Sequence, residues 1–146
     1  FDKIIEAHGL EKIKTIGDAY MCAGGLPQPT DTHPTDVVRA ALTMQRELAD
    51  LMEKRRTQGH PVFEMRIGIH TGPVVAGVVG SRKFAYDIWG DTVNVAARLE
   101  QGSATGQVNI SETTRQLIGD RFRCTFRGHL PAKNKGTVAM YFVEDV

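Results

Sequence analysis

Tyr86-Asp-Ile-Trp-Gly-Asp-Thr-Val-Asn-Val-Ala-Ala-Arg98 reads as a strand running into a helix. Phe84 to Trp89 is aromatic and apolar enough for a strand, Gly90 breaks it, and Asp91 or Thr92 is placed to cap the helix by accepting its unpaired backbone N–H groups. Asn94 and Arg98 stand four apart on that helix and share a face. The face lies near a helix N-terminus, where backbone donors and the dipole favour phosphate. An amide and a guanidinium here interrupt what would be a clean apolar stripe. They suit a sugar and phosphate contact, or equally a helix-start hydrogen bond beside a surface arginine; the segment alone leaves both open.

Upstream, Phe1 to His8 has a helical pattern, and Leu10 to Ile16 and Ala19 to Ala23 read as strands of a hairpin turning at Gly17-Asp18. Gly24 to Pro34 is rich in proline and glycine and reads as a loop. From Pro34 to Arg56, Val37, Ala41, Met44, Leu48, Leu51 and Met52 recur at helical spacing, with Pro34 in the permitted first turn and Lys54, Arg55 and Arg56 at the cation-favouring end. Phe63 to Thr71 and Val74 to Val79 are β-branched and strand-like on either side of Gly72-Pro73. Downstream, Gln107 to Ile110 is a short strand, Ser111 caps a helix to about Ile118, and Arg121 to Arg127 and Val138 to Val143 form a last strand pair around the basic loop Ala132 to Gly136. Hairpins outnumber crossovers. That predicts an α+β fold, with helices packed on one face of the sheet, over a doubly wound one.

A chain of 146 residues with 41% hydrophobic content suits one domain with a sizeable core. Eighteen basic against seventeen acidic residues leave a net charge of +1, so no global field argues for nucleic acid or an anionic membrane, and phosphate binding has to be local. Cys22 and Cys124 match no metal spacing and read as buried free thiols of a reducing compartment. No apolar run approaches the roughly 18 residues of a membrane span. Because the chain opens inside a helix, without an initiator Met or a cap, it is expected to be a piece of a longer parent.

Several residues carry chemistry in combination that none carries alone. Asp18 at a hairpin tip is by itself an ordinary turn former. Lys14 suits a solvated strand face, and Lys133 and Lys135 suit a surface loop. Together with Asp87, Asn94 and Arg98, however, they make up the inventory a nucleotide needs: a carboxylate for a metal, a lysine and an acid for a base edge, and an amide, an arginine and a lysine for sugar and phosphates.

The motifs Lys12-Ile-Lys-Thr-Ile-Gly-Asp-Ala-Tyr-Met21, Met65-Arg-Ile-Gly-Ile-His-Thr-Gly72, Gly77-Val-Val-Gly80 and Tyr86 to Arg98 resemble, in order, those of the class III nucleotidyl cyclase catalytic domain. The resemblance covers essentially residues 1–146 as one catalytic domain. It implies a ferredoxin-like mixed or antiparallel sheet with helices packed on it. It also implies conversion of ATP to 3′,5′-cyclic AMP and pyrophosphate, by attack of the ribose 3′-oxygen on the α-phosphate with two Mg²⁺ per site, Mn²⁺ being a substitute. Asp18 matches the second of two metal-binding aspartates, Lys14 and Asp87 the purine-reading pair, Asn94 the ribose-orienting residue, and Arg98 the transition-state arginine. Lys133 matches the lysine that grips the terminal phosphates, with Lys135 as a lesser substitute. The guanylyl members carry Glu and Cys at the purine-reading positions, so Lys14 and Asp87 favour ATP.

In this family each site forms between two subunits, one giving the metal aspartates and the other the purine, ribose and phosphate contacts. The resemblance therefore implies a homodimer with composite sites, with regulatory domains elsewhere on the parent chain. The location it implies is the cytoplasm, or the cytoplasmic side of a membrane-anchored parent. The family's first strand and helices, with the first metal aspartate, precede the point where this chain begins, so residues 1–146 alone are expected to have little or no activity. Pro73 stands where some animal homologues carry a basic residue. The rival expectations are a guanylyl cyclase and a non-catalytic cyclase-like module for dimerisation or nucleotide sensing.

Overall fold

The computed structural model describes residues 1–132 and 136–146. In chain order the elements are α1 (Asp2–Ala7), β1 (Glu11–Ile16), β2 (Ala19–Ala23), α2 (His33–Thr57), β3 (Ile67–Ile69), β4 (Val75–Val79), β5 (Ala85–Trp89), α3 (Asp91–Gln101), β6 (Val108–Ser111), α4 (Glu112–Ile118), β7 (Arg123–Ala132) and β8 (Gly136–Glu144). The fold is mixed α+β. Among the described residues the strands form a four-stranded sheet in the order β3-β6-β8-β7 and two hairpins, β1-β2 and β4-β5. β3 and β6 run parallel and the other pairs antiparallel.

The core forms where α2 and α4 cover one face of the four-stranded sheet. Val38, Ala41 and Leu42 of α2 meet Ile69, Val108, Ile110 and Val143 from the strands, with Ile118 and Phe122 closing the end. Burial of such a side chain contributes about 1.5–3 kcal/mol. A second cluster joins Ile4 and Ile5 of α1, Leu10, Ala40 and Met44, and so ties the β1-β2 hairpin to α2. Ser111 caps α4 as expected, accepting from the Thr114 N–H at 3.3 Å.

Helices were expected on one face of the sheet, but α3 packs on the other. Gly68 and Asn109, register partners across β3 and β6, point away from the α2 side. A Cβ on Gly68 would lie 2.1 Å from the Glu100 nitrogen, so the missing side chain is what lets α3 rest on the strand. The strand expected over Phe63 to Thr71 shrinks to Ile67–Ile69, because its partner β6 offers only a short parallel run, paired as Ile67 with Val108 through Ile69 with Ile110. The last two strands exceed their expected lengths, since they pair with each other from Arg123–Glu144 to Ala132–Gly136. Cys22 and Cys124 are free, as expected, but only partly buried. Among the described residues no helix is long and apolar enough to cross a membrane.

Candidate active site

The two hairpins share no backbone ladder, yet β1 and β5 lie side by side and one ion pair links them. Lys14 Nζ donates to Asp87 Oδ2 at 3.0 Å. A bulge between Lys12 and Lys14 turns β1 at this point, the way strands re-aim a side chain near a site. Asp87 sits opposite Gly77 in the β4-β5 register, so no side chain crosses from the partner strand. Its other oxygen, Oδ1, accepts the Ile88 N–H at 2.8 Å. The Lys14 ammonium, and after it the Ile88 N–H, hold the Asp87 carboxyl below the usual carboxylate range. With side-chain exposures of 41% and 21%, both groups can be reached. A donor and an acceptor thus stand side by side, each with hydrogen-bonding capacity left over.

Asn94 and Arg98 lie on α3, about a quarter turn around the helix from the face that buries Val95 and Leu99. Asn94 is exposed and Arg98 half-buried. Arg98 Nη1 donates to the Pro131 carbonyl on β7 at 3.0 Å, which draws the guanidinium to the strand end two residues before Lys133. Lys133 and Lys135 lie outside the described residues. The entry into α3 differs from expectation. Gly90, with φ +126°, occupies the cap position and supplies no capping side chain. Thr92 Oγ1 instead donates to the Pro73 carbonyl at 2.6 Å, tying the start of α3 to the turn before β4. Pro131 and Pro73 take part through main-chain oxygens, which residue type does not reveal.

Asp18 sits exposed at the tip of the β1-β2 hairpin, beside Gly17 at φ +58°, a left-handed conformation that glycine adopts without strain. Among the described residues no three His, Cys, Asp or Glu side chains gather as a metal cage. Asp18 can therefore offer one metal ligand and no complete centre.

The comparisons with known proteins agree with the motifs. The model of the adenylate and guanylate cyclase catalytic domain matches residues 1–145. An adenylate cyclase of Mycobacterium bovis is 43% identical over 143 residues, covering 98% of this chain and 31% of the relative. The soluble guanylate cyclase subunit beta-2 of Rattus norvegicus is 39% identical over 144 residues, covering 98% of this chain and 21% of the relative. The chain thus spans less than a third of these curated relatives. Among solved structures, the adenylyl cyclase CyaB from P. aeruginosa superposes with a TM-score of 0.90 at 31% identity, over 99% of this chain and 76% of that one. The catalytic core of a rhodopsin-guanylyl cyclase with converted specificity, in complex with ATPαS, gives 0.87 at 34% identity, over 99% and 77%. Sequence motifs, fold and relatives together place this chain in the class III adenylyl and guanylyl cyclase catalytic domain family.

Proposed function

We propose that the chain is the catalytic domain of an adenylyl cyclase, which converts ATP to 3′,5′-cyclic AMP and pyrophosphate in a homodimer with composite sites. The Lys14–Asp87 pair carries the choice of nucleotide. Adenine presents a ring acceptor at N1 and an amino donor at N6, which complement Lys14 and Asp87. Guanine presents an N–H and a carbonyl at those places, so both contacts would be mismatched. Buried groups left unpaired by the wrong base are what make such sites selective. Relatives of both kinds match the chain, which leaves the base-reading pair as the discriminating feature.

Asn94 orients the ribose and presents its 3′-hydroxyl to the α-phosphate. Arg98, one turn further along the same face, meets the charge that grows on the phosphoryl oxygens as the 3′-oxygen attacks and pyrophosphate leaves. A planar guanidinium aimed there binds the transition state more strongly than the substrate. Lys133 holds the terminal phosphates. Asp18 is one ligand for the divalent cations, Mg²⁺ or Mn²⁺, which when bound acidify the 3′-hydroxyl and offset the triphosphate charge. Asp18 belongs to no group of three or more His, Cys, Asp or Glu side chains among the described residues, so it serves as one ligand of a set that those side chains do not complete.

Base exchange tests this reading. Lys14→Glu combined with Asp87→Cys in the complete protein should shift kcat/KM from ATP toward GTP; unchanged selectivity would place base choice elsewhere.

A further inference from the structure

An α-helix leaves its last four carbonyls without partners inside the helix. In α3 these belong to Arg98, Leu99, Glu100 and Gln101, and all four are engaged. The Gly102 N–H donates to Arg98 O at 2.8 Å and the Ser103 N–H to Glu100 O at 3.1 Å. The other two accept from side chains: Asn109 Nδ2 donates to Leu99 O at 2.9 Å, and Arg66 Nη1 to Gln101 O at 3.3 Å.

Asn109 is the unusual member. It is fully buried in the middle of β6, between Val108 and Ile110 of the opposite, apolar face. Its Nδ2 also contacts Met140 Sδ at 3.4 Å, while its Oδ1 has no partner. A buried amide oxygen left unpaired is costly, and an apolar side chain would fill the space without that cost. Only a donor, however, can hold the Leu99 carbonyl. Directly across the β3-β6 register stands Gly68, where a Cβ would lie 2.6 Å from the Leu99 carbonyl carbon. Gly68 sets the height of α3 above the sheet, and Asn109 grips it along its axis.

We propose that Asn109 is a positioning residue for the cyclase reaction, holding the Leu99 carbonyl so that α3 presents Asn94 and Arg98 in register with the nucleotide. This rests on the roles proposed above for those two residues. Arg98 adjoins Leu99, and Asn94 lies about 7.5 Å back along the axis. A helix that slides as a unit displaces both by the same amount, and a misplacement of about 1 Å can cost on the order of a hundredfold in rate.

The test uses the complete protein with two substitutions. Asn109→Leu keeps the branched shape in a larger, wholly apolar side chain and removes the donor; kcat should fall about 10- to 100-fold with KM changed less than about threefold. Asn109→Asp places a carboxylate against the Leu99 carbonyl, whereas its protonated form can donate to it. Its kcat relative to the unaltered protein should therefore rise as pH falls from about 8.5 to about 6, since burial raises a carboxyl pKa. Lowered melting temperature with unchanged kcat per folded molecule and a flat pH ratio would overturn the proposal. If Asn109→Leu does not fold, the pH ratio of Asn109→Asp decides. If the unaltered protein cyclises neither ATP nor GTP, the proposed function fails, and amide hydrogen exchange at Val95 to Arg98 then judges the seat alone. Faster exchange in Asn109→Asp at high pH supports it, and unchanged exchange refutes it.

Discussion

Gly68→Ala adds one methyl group where α3 meets the sheet. The new carbon would lie 2.1 Å from the Glu100 nitrogen, 2.6 Å from the Leu99 carbonyl carbon and 2.7 Å from the Ala96 oxygen. Unstrained contacts to carbon fall near 3.5–4.0 Å, so roughly 1 Å or more has to be recovered. All three atoms are backbone of one helix, so no side chain can swing aside and α3 has to lift as a unit. Overpacking of this kind costs about 1–3 kcal/mol. Lifting also stretches the bond from Asn109 to Leu99 O, and a buried carbonyl left unpaired costs about 1–3 kcal/mol more. Against this, alanine gains about 0.4–1 kcal/mol from a less flexible unfolded chain. The net loss of roughly 1–6 kcal/mol lowers the melting temperature by about 3–17 °C for a domain of this size. Scanning calorimetry of the complete protein reads the shift. Gly77→Ala is the control, because a Cβ there meets only Trp89 Cη2, at an ordinary 3.5 Å. A Gly68→Ala transition within about 2 °C of the unaltered protein, or an equal fall in both variants, would mean that α3 does not rest on Gly68 in this way.

Four further outcomes follow from the same geometry. Arg98→Ala should lower kcat by about a hundredfold or more while changing KM far less, and a pure KM effect would remove its transition-state role. Co-expressed Asp18→Ala and Arg98→Ala chains should recover about a quarter of the unaltered activity, because half the random dimers are mixed and each mixed dimer holds one intact site; no recovery would argue against sites shared between subunits. Arg115, through its paired bonds of 2.9 and 3.1 Å, and then Tyr141 hold the Glu112 carboxyl down to about 2. A depressed carboxylate stabilises the fold above its ordinary value of 4.5 and loses that contribution as pH falls toward 2. Arg115→Leu should accordingly return the NMR-monitored Glu112 titration toward 4.5, and an unmoved midpoint would contradict the assigned cause. Burial pushes the Cys22 thiol up to about 11, so a thiol reagent at about pH 8 should modify it far more slowly in the folded protein than in the unfolded one; equal rates would be evidence against that shift.

What the residues reveal on their own is mostly periodicity and punctuation. The α2 stripe, the Gly17-Asp18 turn and the Ser111 cap are each written in neighbouring residues, and each forms where those residues predict. Pairing partners are less visible. Phe63 to Arg66 has strand-like composition, but β propensity cannot supply a partner, and β6 is too short to provide one. The second helical layer depends on two single residues, a glycine and an asparagine inside apolar strands, whose meaning emerges only when α3 is seen above them. A glycine within a strand is a signal of close backbone approach, and it could have pointed there. The candidate site divides similarly. The i, i+4 spacing of Asn94 and Arg98 was legible, whereas the meeting of Lys14 with Asp87 across two separate hairpins was not a matter of spacing at all. The family resemblance paired them, and the fold brings them within 3.0 Å.

The most direct measurement offers the complete protein equal concentrations of ATP and GTP with Mg²⁺ and identifies the cyclic products by mass spectrometry. A site that reads adenine yields cyclic AMP in large excess over cyclic GMP. Predominant cyclic GMP, or no cyclic product from either nucleotide, would contradict it.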